Sequence, residues 1–472
     1  MWLLFLAIST HFLAAEGLKI AVFTPNQINS QVIFHRRIAE ELIRASHDVH
    51  LILIKSLNID KPDVKIERNV TVWNVDASVD MSINFEQAQA TMAFKTTGLW
   101  NLSAKKIMLA WTDASVNSCE KLLQNKEFLK RLTDENFDLA FAHMYEYCPI
   151  GLIHYAKIPT WIWLIMDNVA YDIGVPSPPS YVPPIMSDAS DEMTFIQRFK
   201  SQIGQFLFPL IYPRLVINPQ TAIFRKLIDP NFPDLRDLGR QCPLIVYIGV
   251  GGLGMKKVDA KPLEGEFNTA VDNAKEVVVM TFGSACDPKL MPDSWKDAFM
   301  GAFRRFPGKP ITLILIKMGT DLDAKKPSNV LLSKWLPQAD LLQHSKTAAF
   351  ISHGGYNGLQ EAIYSRTPII TIPLKSDQFR NGRIAVKHGF GYNQKEDISE
   401  ENVVKALEAI LNNPDYSNSV NRMQNMIAKK PVQPEQLLRK WTEFLGEFSS
   451  TTSCLMGLNS GLCSITIWMF WL

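Results

Sequence analysis

Unbroken apolar runs alternate along this chain with segments whose apolar residues return every three or four positions. "KIAVFT" is a run of strand length. "VIFHRRIAEELIRAS" then places Ile33, Ile38, Leu42 and Ile43 at helical spacing, and "HDVHLILI" is a second strand. Strands apolar on both faces, joined through amphipathic helices, predict a parallel sheet covered on both sides. "FDLAFAH", "GLIHYAK" and "IPTWIWLI" repeat the strand–helix–strand order, so the first half reads as a doubly wound α/β domain. A second set runs "EVVVMTFGS", "WKDAFMGAFRRF", "ITLILIK", "AAFISHGG", "LQEAIYS", "PIITIP". The fold class expected is therefore α/β with two doubly wound domains facing a cleft. Ligands of such sheets bind beyond the carboxyl ends of the strands.

Between the two sets the pattern breaks. "GVPSPPSYVPPIMSD" carries five prolines from Val175 to Ile185 and is read as irregular chain. "FIQRFKSQIGQFLFPLIYPRL" places Phe195, Phe199, Ile203, Phe206 and Leu207 on one helical face. That face is expected to pack on its own domain, the other reading being a helix lying on a membrane surface. "CPLIVYIGVGGLG" gives a strand and a glycine loop that fits G-x-G-x-x-G. No helix follows it, so the dinucleotide fingerprint fails and the stretch is read as an interdomain linker.

Composition adds limits. With 472 residues, 20% charged and a formal net charge of +2, nothing points to a polyanion, and nucleic acid is not an expected partner. Six cysteines without a CxxC pair do not form a disulfide framework. Cys119 and Cys148 could pair in an oxidising compartment, but buried free thiols are expected. The opening "MWLLFLAISTHFLAAEGLKI" fits a secretory signal peptide cleaved near Ala15 to Gly17. Two sequons, Asn69-Val70-Thr71 and Asn101-Leu102-Ser103, agree with a luminal route. "CLMGLNSGLCSITIWMFWL" at the other end is long enough to span a bilayer, but no basic residue follows it. Insertion and a disordered or membrane-surface tail both stay open.

The chemistry concentrates in "TAAFISHGGYNGLQEA". A strand ends at Ser352, His353-Gly354-Gly355 turns, and a helix opens. Free N–H groups and the dipole at that helix start favour an anion, and His353 can donate to a phosphate oxygen. Glu361, two turns into the helix, suits a pair of sugar hydroxyls. A metal site is disfavoured because His353 and Glu361 lack a third ligand at helical spacing. Upstream, "KWLPQAD" offers the Trp335 ring for a base and the Gln338 amide. Downstream, "KSDQFRN" offers Asp377 and Gln378 for sugar hydroxyls.

From Trp335 to Gln378 this constellation, with "MTFGS", "PSYVPP" and "KWTEFLGEF", resembles the UDP-glycosyltransferases, in particular their glucuronosyltransferase-like nematode members. The resemblance implies the GT-B fold, inverting transfer from a UDP-sugar to a small lipophilic acceptor, and no metal or other cofactor. It implies that Trp335 stacks on uracil, Gln338 contacts base or ribose, and Glu361 holds the ribose hydroxyls. Ser284, Ser352, His353, Gly355, Asn357 and Gly358 would surround the diphosphate, with Asp377 and Gln378 on the transferred sugar. A membrane and homo- or hetero-association with family members are further expected partners, and the endoplasmic reticulum lumen is the expected place. The implied division is 1–17 signal peptide, 18–240 acceptor domain, 241–268 linker, 269–448 UDP-sugar domain and 449–472 an atypical apolar tail.

One part departs from the pattern. The family's histidine base follows the first strand in a Ser-His pair, oriented by an aspartate. Here the pair reads Ser30-Gln31, and the aspartate position reads His143. Glutamine takes no proton at neutral pH. His35, one turn on, or His143 is the expected substitute, with Glu146 as orienter; the plainer reading of His35 is a solvated helix residue. A catalytically weak, UDP-sugar-binding relative is the alternative function. "DLD" at Asp321–Asp323 matches a metal–nucleotide spacing but reads as a chance surface loop.

Overall fold

The structure, a computed structural model, describes residues 17–59, 64–66, 69–94, 102–143, 146–165, 178–182, 189, 191–247, 260–283, 288–306, 312–317, 322–375, 377–394, 398–455 and 465–467. Among them, the first sheet is built from β1 (Lys19–Pro25), β2 (Asp48–Leu57), β3 (Thr71–Val79), β4 (Leu139–His143), β5 (Thr160–Ile165), β6 (Leu244–Tyr247) and β13 (Ile465–Ile467). The second holds β7 (Glu276–Thr281), β8 (Thr312–Lys317), β9 (Val330–Ser333), β10 (Thr347–Ser352), β11 (Ile369–Thr371) and β12 (Gly391–Asn393). All pairings are parallel.

The two sheets repeat one topology. Their orders are β3-β2-β1-β4-β5-β6-β13 and β9-β8-β7-β10-β11-β12. The strand order reverses between β1 and β4 in the first and between β7 and β10 in the second. Those switch points open the crevices in which such sheets bind ligands. Each sheet has a core on both faces, as its unbroken strands predict. Ala21 and Phe23 of β1 join one cluster, Ile20 and Val22 the other. Met280 and Val279 divide in the same way on β7.

Four expectations change. The strand expected in "CPLIVY" forms, but as β6 it belongs to the first sheet, paired with β5 through Ile162–Leu244. The structured part of the first half thus runs past residue 240 into the stretch read as linker. The helix Pro434–Leu455 returns from the second half to the first, burying Leu438 and Leu445 against the β1–β2 face. Cys119 and Cys148 are joined in a disulfide, so the free-thiol expectation fails for this pair; Cys242 is free and buried. The Asn29–Arg44 helix buries His35 completely, so it is no solvated surface residue.

The helix Phe195–Tyr212 departs furthest from its expected packing. Phe195, Phe199 and Phe206 are 84%, 60% and 67% exposed. Its inward side is polar: Ser201 is buried, and Gln205 Nε2 donates to the Val182 carbonyl at 2.6 Å. The backbone carbonyl of the proline-rich segment needs a donor there, so the polar stripe faces the protein and the apolar stripe faces outward.

No helix of the described residues is long and apolar enough to cross a membrane. The signal-peptide stretch up to residue 16, Asn101, Ser284, Asp321 and most of the 449–472 tail lie outside the described residues. Within the tail, β13 pairs with β6.

Candidate active site

The glycine turn sits at the second switch point. β10 ends at Ser352, and the helix Tyr356–Tyr364 starts behind Gly355 with no side chain capping it. Its first N–H groups are those that such a helix start offers to an anion. Gly354 has φ +77°, a conformation open to glycine at little cost. A Cβ on Gly355 would stand 2.5 Å from His353 Nε2, and one on Gly283, after β7, 2.9 Å from Cε1. The imidazole thus lies between two backbone segments that only glycine lets come so close. Ser352 is buried beneath the turn, where its Oγ accepts from the Gly354 N–H at 3.3 Å. It shapes the turn from below rather than lining its open side. Gly358 is likewise buried, packed on Ser352 and Phe350.

Gln338 and Glu361, both candidates for the ribose, meet in the fold. Gln338 opens the helix after β9, and its Nε2 donates to Glu361 Oε2 at 2.6 Å. Burial raises the Glu361 pKa; the Arg37 charge and the Gln338 amide oppose that rise. Trp335, two residues beyond β9, is 65% exposed and presents a ring to solvent.

The helix Gln378–Lys387, which follows the loop after β11, closes on the turn. Asn381 Nδ2 donates to the Gly354 carbonyl at 2.9 Å and to Asp377 Oδ2 at 2.7 Å. Gln378 is buried, and its Oε1 accepts from the N–H groups of Leu374 and Lys375 at 2.9 and 3.0 Å. Its carbonyl therefore holds the loop, and only the Nε2 side remains for a ligand. Asp323 of the "DLD" stretch pairs with Lys326 at 3.0 Å, and no cluster of metal-ligating side chains occurs among the described residues.

The first switch point is drier. His143 ends β4, and its ring centroid lies 5.0 Å from that of His35. Both rings are buried. Burial lowers the His35 pKa to about 4, against a hydrogen bond to the Gln31 carbonyl; burial and the neighbouring His35 take His143 well below its usual value. Gln31 is buried beside them, and its Oε1 has no hydrogen-bond partner among the described residues. Glu146 differs. It is half-buried in the loop after β4, and Gln27, from the loop after β1, donates to its Oε1 at 3.1 Å. Burial pushes its pKa up to about 7, with Gln27 and Ser56 pulling the other way.

Sequence reasoning missed three residues here. Gly283 was readable in "MTFGS". Asn381 and Arg37 carried no local signal, because their partners Gly354 and Asn357 lie far along the chain.

Comparison with known proteins agrees with this geometry. The family model described as UDP-glucoronosyl and UDP-glucosyl transferase matches residues 21–449. The Caenorhabditis elegans protein named UDP-glucuronosyltransferase ugt-47 is 29% identical over 94% of this chain and 87% of its own length. Human UDP-glucuronosyltransferase 2B17 is 29% identical over the same shares. Among solved structures, the kitacinnamycin glycosyltransferase superposes with a TM-score of 0.58 at 14% identity, covering 92% of this chain and all but 1% of its own. SsfS6 of Streptomyces sp. SF2575, complexed with thymidine diphosphate, gives 0.52 at 13% identity, covering 90% of this chain and 99% of its own. These neighbours share the GT-B fold expected from the sequence. Two like-ordered sheets, a glycine turn at the second switch point and a match across nearly the whole chain give one conclusion: the protein belongs to the UDP-glucuronosyl and UDP-glucosyl transferase family, whose members are UDP-sugar glycosyltransferases.

Proposed function

We propose that this enzyme transfers a hexosyl group, glucuronosyl or glucosyl, from a UDP-sugar to a small lipophilic phenol, alcohol or acid. The transfer inverts the anomeric carbon and uses no metal. The observation that carries this reading is the Gln338–Glu361 pair held beside an uncapped helix start. A half-buried carboxylate and an amide are ribose chemistry, and the helix start is diphosphate chemistry.

In this reading Trp335 stacks on the uracil and Glu361 accepts from the ribose hydroxyls. His353, Asn357 and the amides after Gly355 hold the diphosphate, and Asp377 contacts the sugar. The acceptor oxygen bonds to C1 while the C1–phosphate oxygen bond breaks and its electron pair leaves with UDP. The helix dipole and amides meet that charge where it develops. Glu146 takes the acceptor proton. Two buried histidines that resist protonation are poor bases, whereas a carboxylate titrating near neutrality is matched to the task. The buried Gln31 amide, which cannot act as a base, supports the rival reading of a catalytically weak UDP-sugar-binding relative.

Incubation with labelled UDP-glucuronate and UDP-glucose against a phenol panel, with and without EDTA, tests this. A glycoside of inverted anomer, formed equally with EDTA, is expected. Tight UDP binding with no glycoside would favour the rival.

The same proposal places the enzyme in the secretory lumen, supported by the Cys119–Cys148 disulfide and the exposed Asn69 sequon. It lays the apolar face of the Phe195–Tyr212 helix on the bilayer surface, from which lipophilic acceptors would be drawn.

A further inference from the structure

The second half does not complete the donor pocket by itself. Arg36 and Arg37 are neighbours on the Asn29–Arg44 helix of the first half, yet they do different things. Arg36 is paired within its own half: Nη1 donates to the Lys65 carbonyl at 2.7 Å, and Nε lies 3.3 Å from Glu40 Oε1 as an ion pair. Arg37 instead crosses the cleft. Its Nη1 reaches Asn357 Oδ1 at 3.5 Å, on the first turn of the Tyr356–Tyr364 helix, 320 residues along the chain.

That contact is long and its acceptor is a neutral amide. Among the described residues no carboxylate lies within 4.0 Å of the guanidinium, although the charges of Glu361 and Tyr356 bear on it from beyond that range. A half-buried guanidinium carries five donors in a planar fork and keeps its charge. Holding it against a glycine turn and an uncapped helix start, with only a weak partner, has a cost unless an anion arrives there.

Building on the UDP-sugar reading above, we propose that Arg37 binds the donor's diphosphate, delivered by the acceptor half of the molecule to the N-terminus of the Tyr356–Tyr364 helix. On binding, the fork leaves the Asn357 amide and takes a phosphate oxygen. One residue then couples donor occupancy to the closeness of the two halves. An ion pair between Lys387 and Asp191 joins the halves elsewhere, so Arg37 need not hold them together alone.

The test compares UDP with uridine, which shares base and ribose but lacks the diphosphate. Calorimetric titration of the full chain and of Arg37→Gln and Arg37→Lys is the measurement. Arg37→Gln should raise the Kd for UDP about 10- to 100-fold while leaving that for uridine within about twofold. Arg37→Lys, which keeps the charge and loses the fork, should fall between. The salt dependence of UDP binding should flatten in Arg37→Gln. Equal effects on UDP and uridine, or none on either, would overturn the proposal. So would tighter UDP binding by Arg37→Gln, which would make the arginine a competitor of the ligand. Failure of the unaltered chain to bind UDP would instead remove the donor-site reading itself. Should Arg37→Gln fail to fold, the UDP–uridine contrast in Arg37→Lys decides.

Discussion

The two halves place the same strand order around two switch points and fill them with opposite chemistry. The second keeps a turn open, with a positive-φ glycine, a helix start without a side-chain cap and a carboxylate held by an amide. The first buries two histidines and a glutamine, leaving one half-buried carboxylate at its edge. One topology thus supplies a cradle on one side and a dry wall on the other. What each switch point does is set by side chains at the strand ends, not by the fold.

The largest expected effect tests the dry side. Glu146→Gln should lower kcat on the order of 100- to 10,000-fold while changing the Kd for UDP little. In the unaltered enzyme kcat/KM should rise with pH through about 7, since a raised-pKa carboxylate works as a base only once its proton is lost; Glu146→Gln should abolish that limb. A pH profile flat from 6 to 8 (an interval about one unit either side of that value) would remove Glu146 from the mechanism.

The open side comes next. Glu361→Ala should weaken UDP binding on the order of 100-fold, because two ribose hydroxyls lose a charged acceptor and Gln338 loses its partner. Unchanged titration would detach Glu361 from the ribose. Gly355→Ala pushes a Cβ into His353 and should cost roughly 10-fold in UDP affinity with little change in melting temperature. Equal affinity would mean the imidazole position does not matter.

The smallest effect would sharpen the contrast. Gln31→His restores the family's residue in a pocket that already suppresses two imidazoles. It should change turnover by less than about threefold, because burial holds a new imidazole below the useful range as well. A large gain would show that the dry wall lacks only its histidine.

Much of the cradle was legible because its parts are close in sequence. Ser352 to Glu361 lie on one strand–turn–helix unit, and periodicity alone sets which face each occupies. The buried histidine pair was not legible. His35 looked like a surface helix residue, and only the packing of the Asn29–Arg44 helix against β1 and β2 set it beside His143 at the end of β4. The Phe195–Tyr212 helix was read with its faces reversed. Its apolar stripe implied a core, but the polar stripe meets the Val182 carbonyl inside.

By itself the sequence determined the two sheets, their parallel strands and the glycine turn between β10 and its helix, since apolar runs and glycine turns act over a few residues. Tertiary structure decided the Cys119–Cys148 bridge, the return of the Pro434–Leu455 helix, the buried histidine pair and the reach of Arg37 to Asn357. Each joins residues whose separation in the chain carries no local preference. Desolvation and charge, which fix what such groups can do, depend on neighbours that only folding supplies.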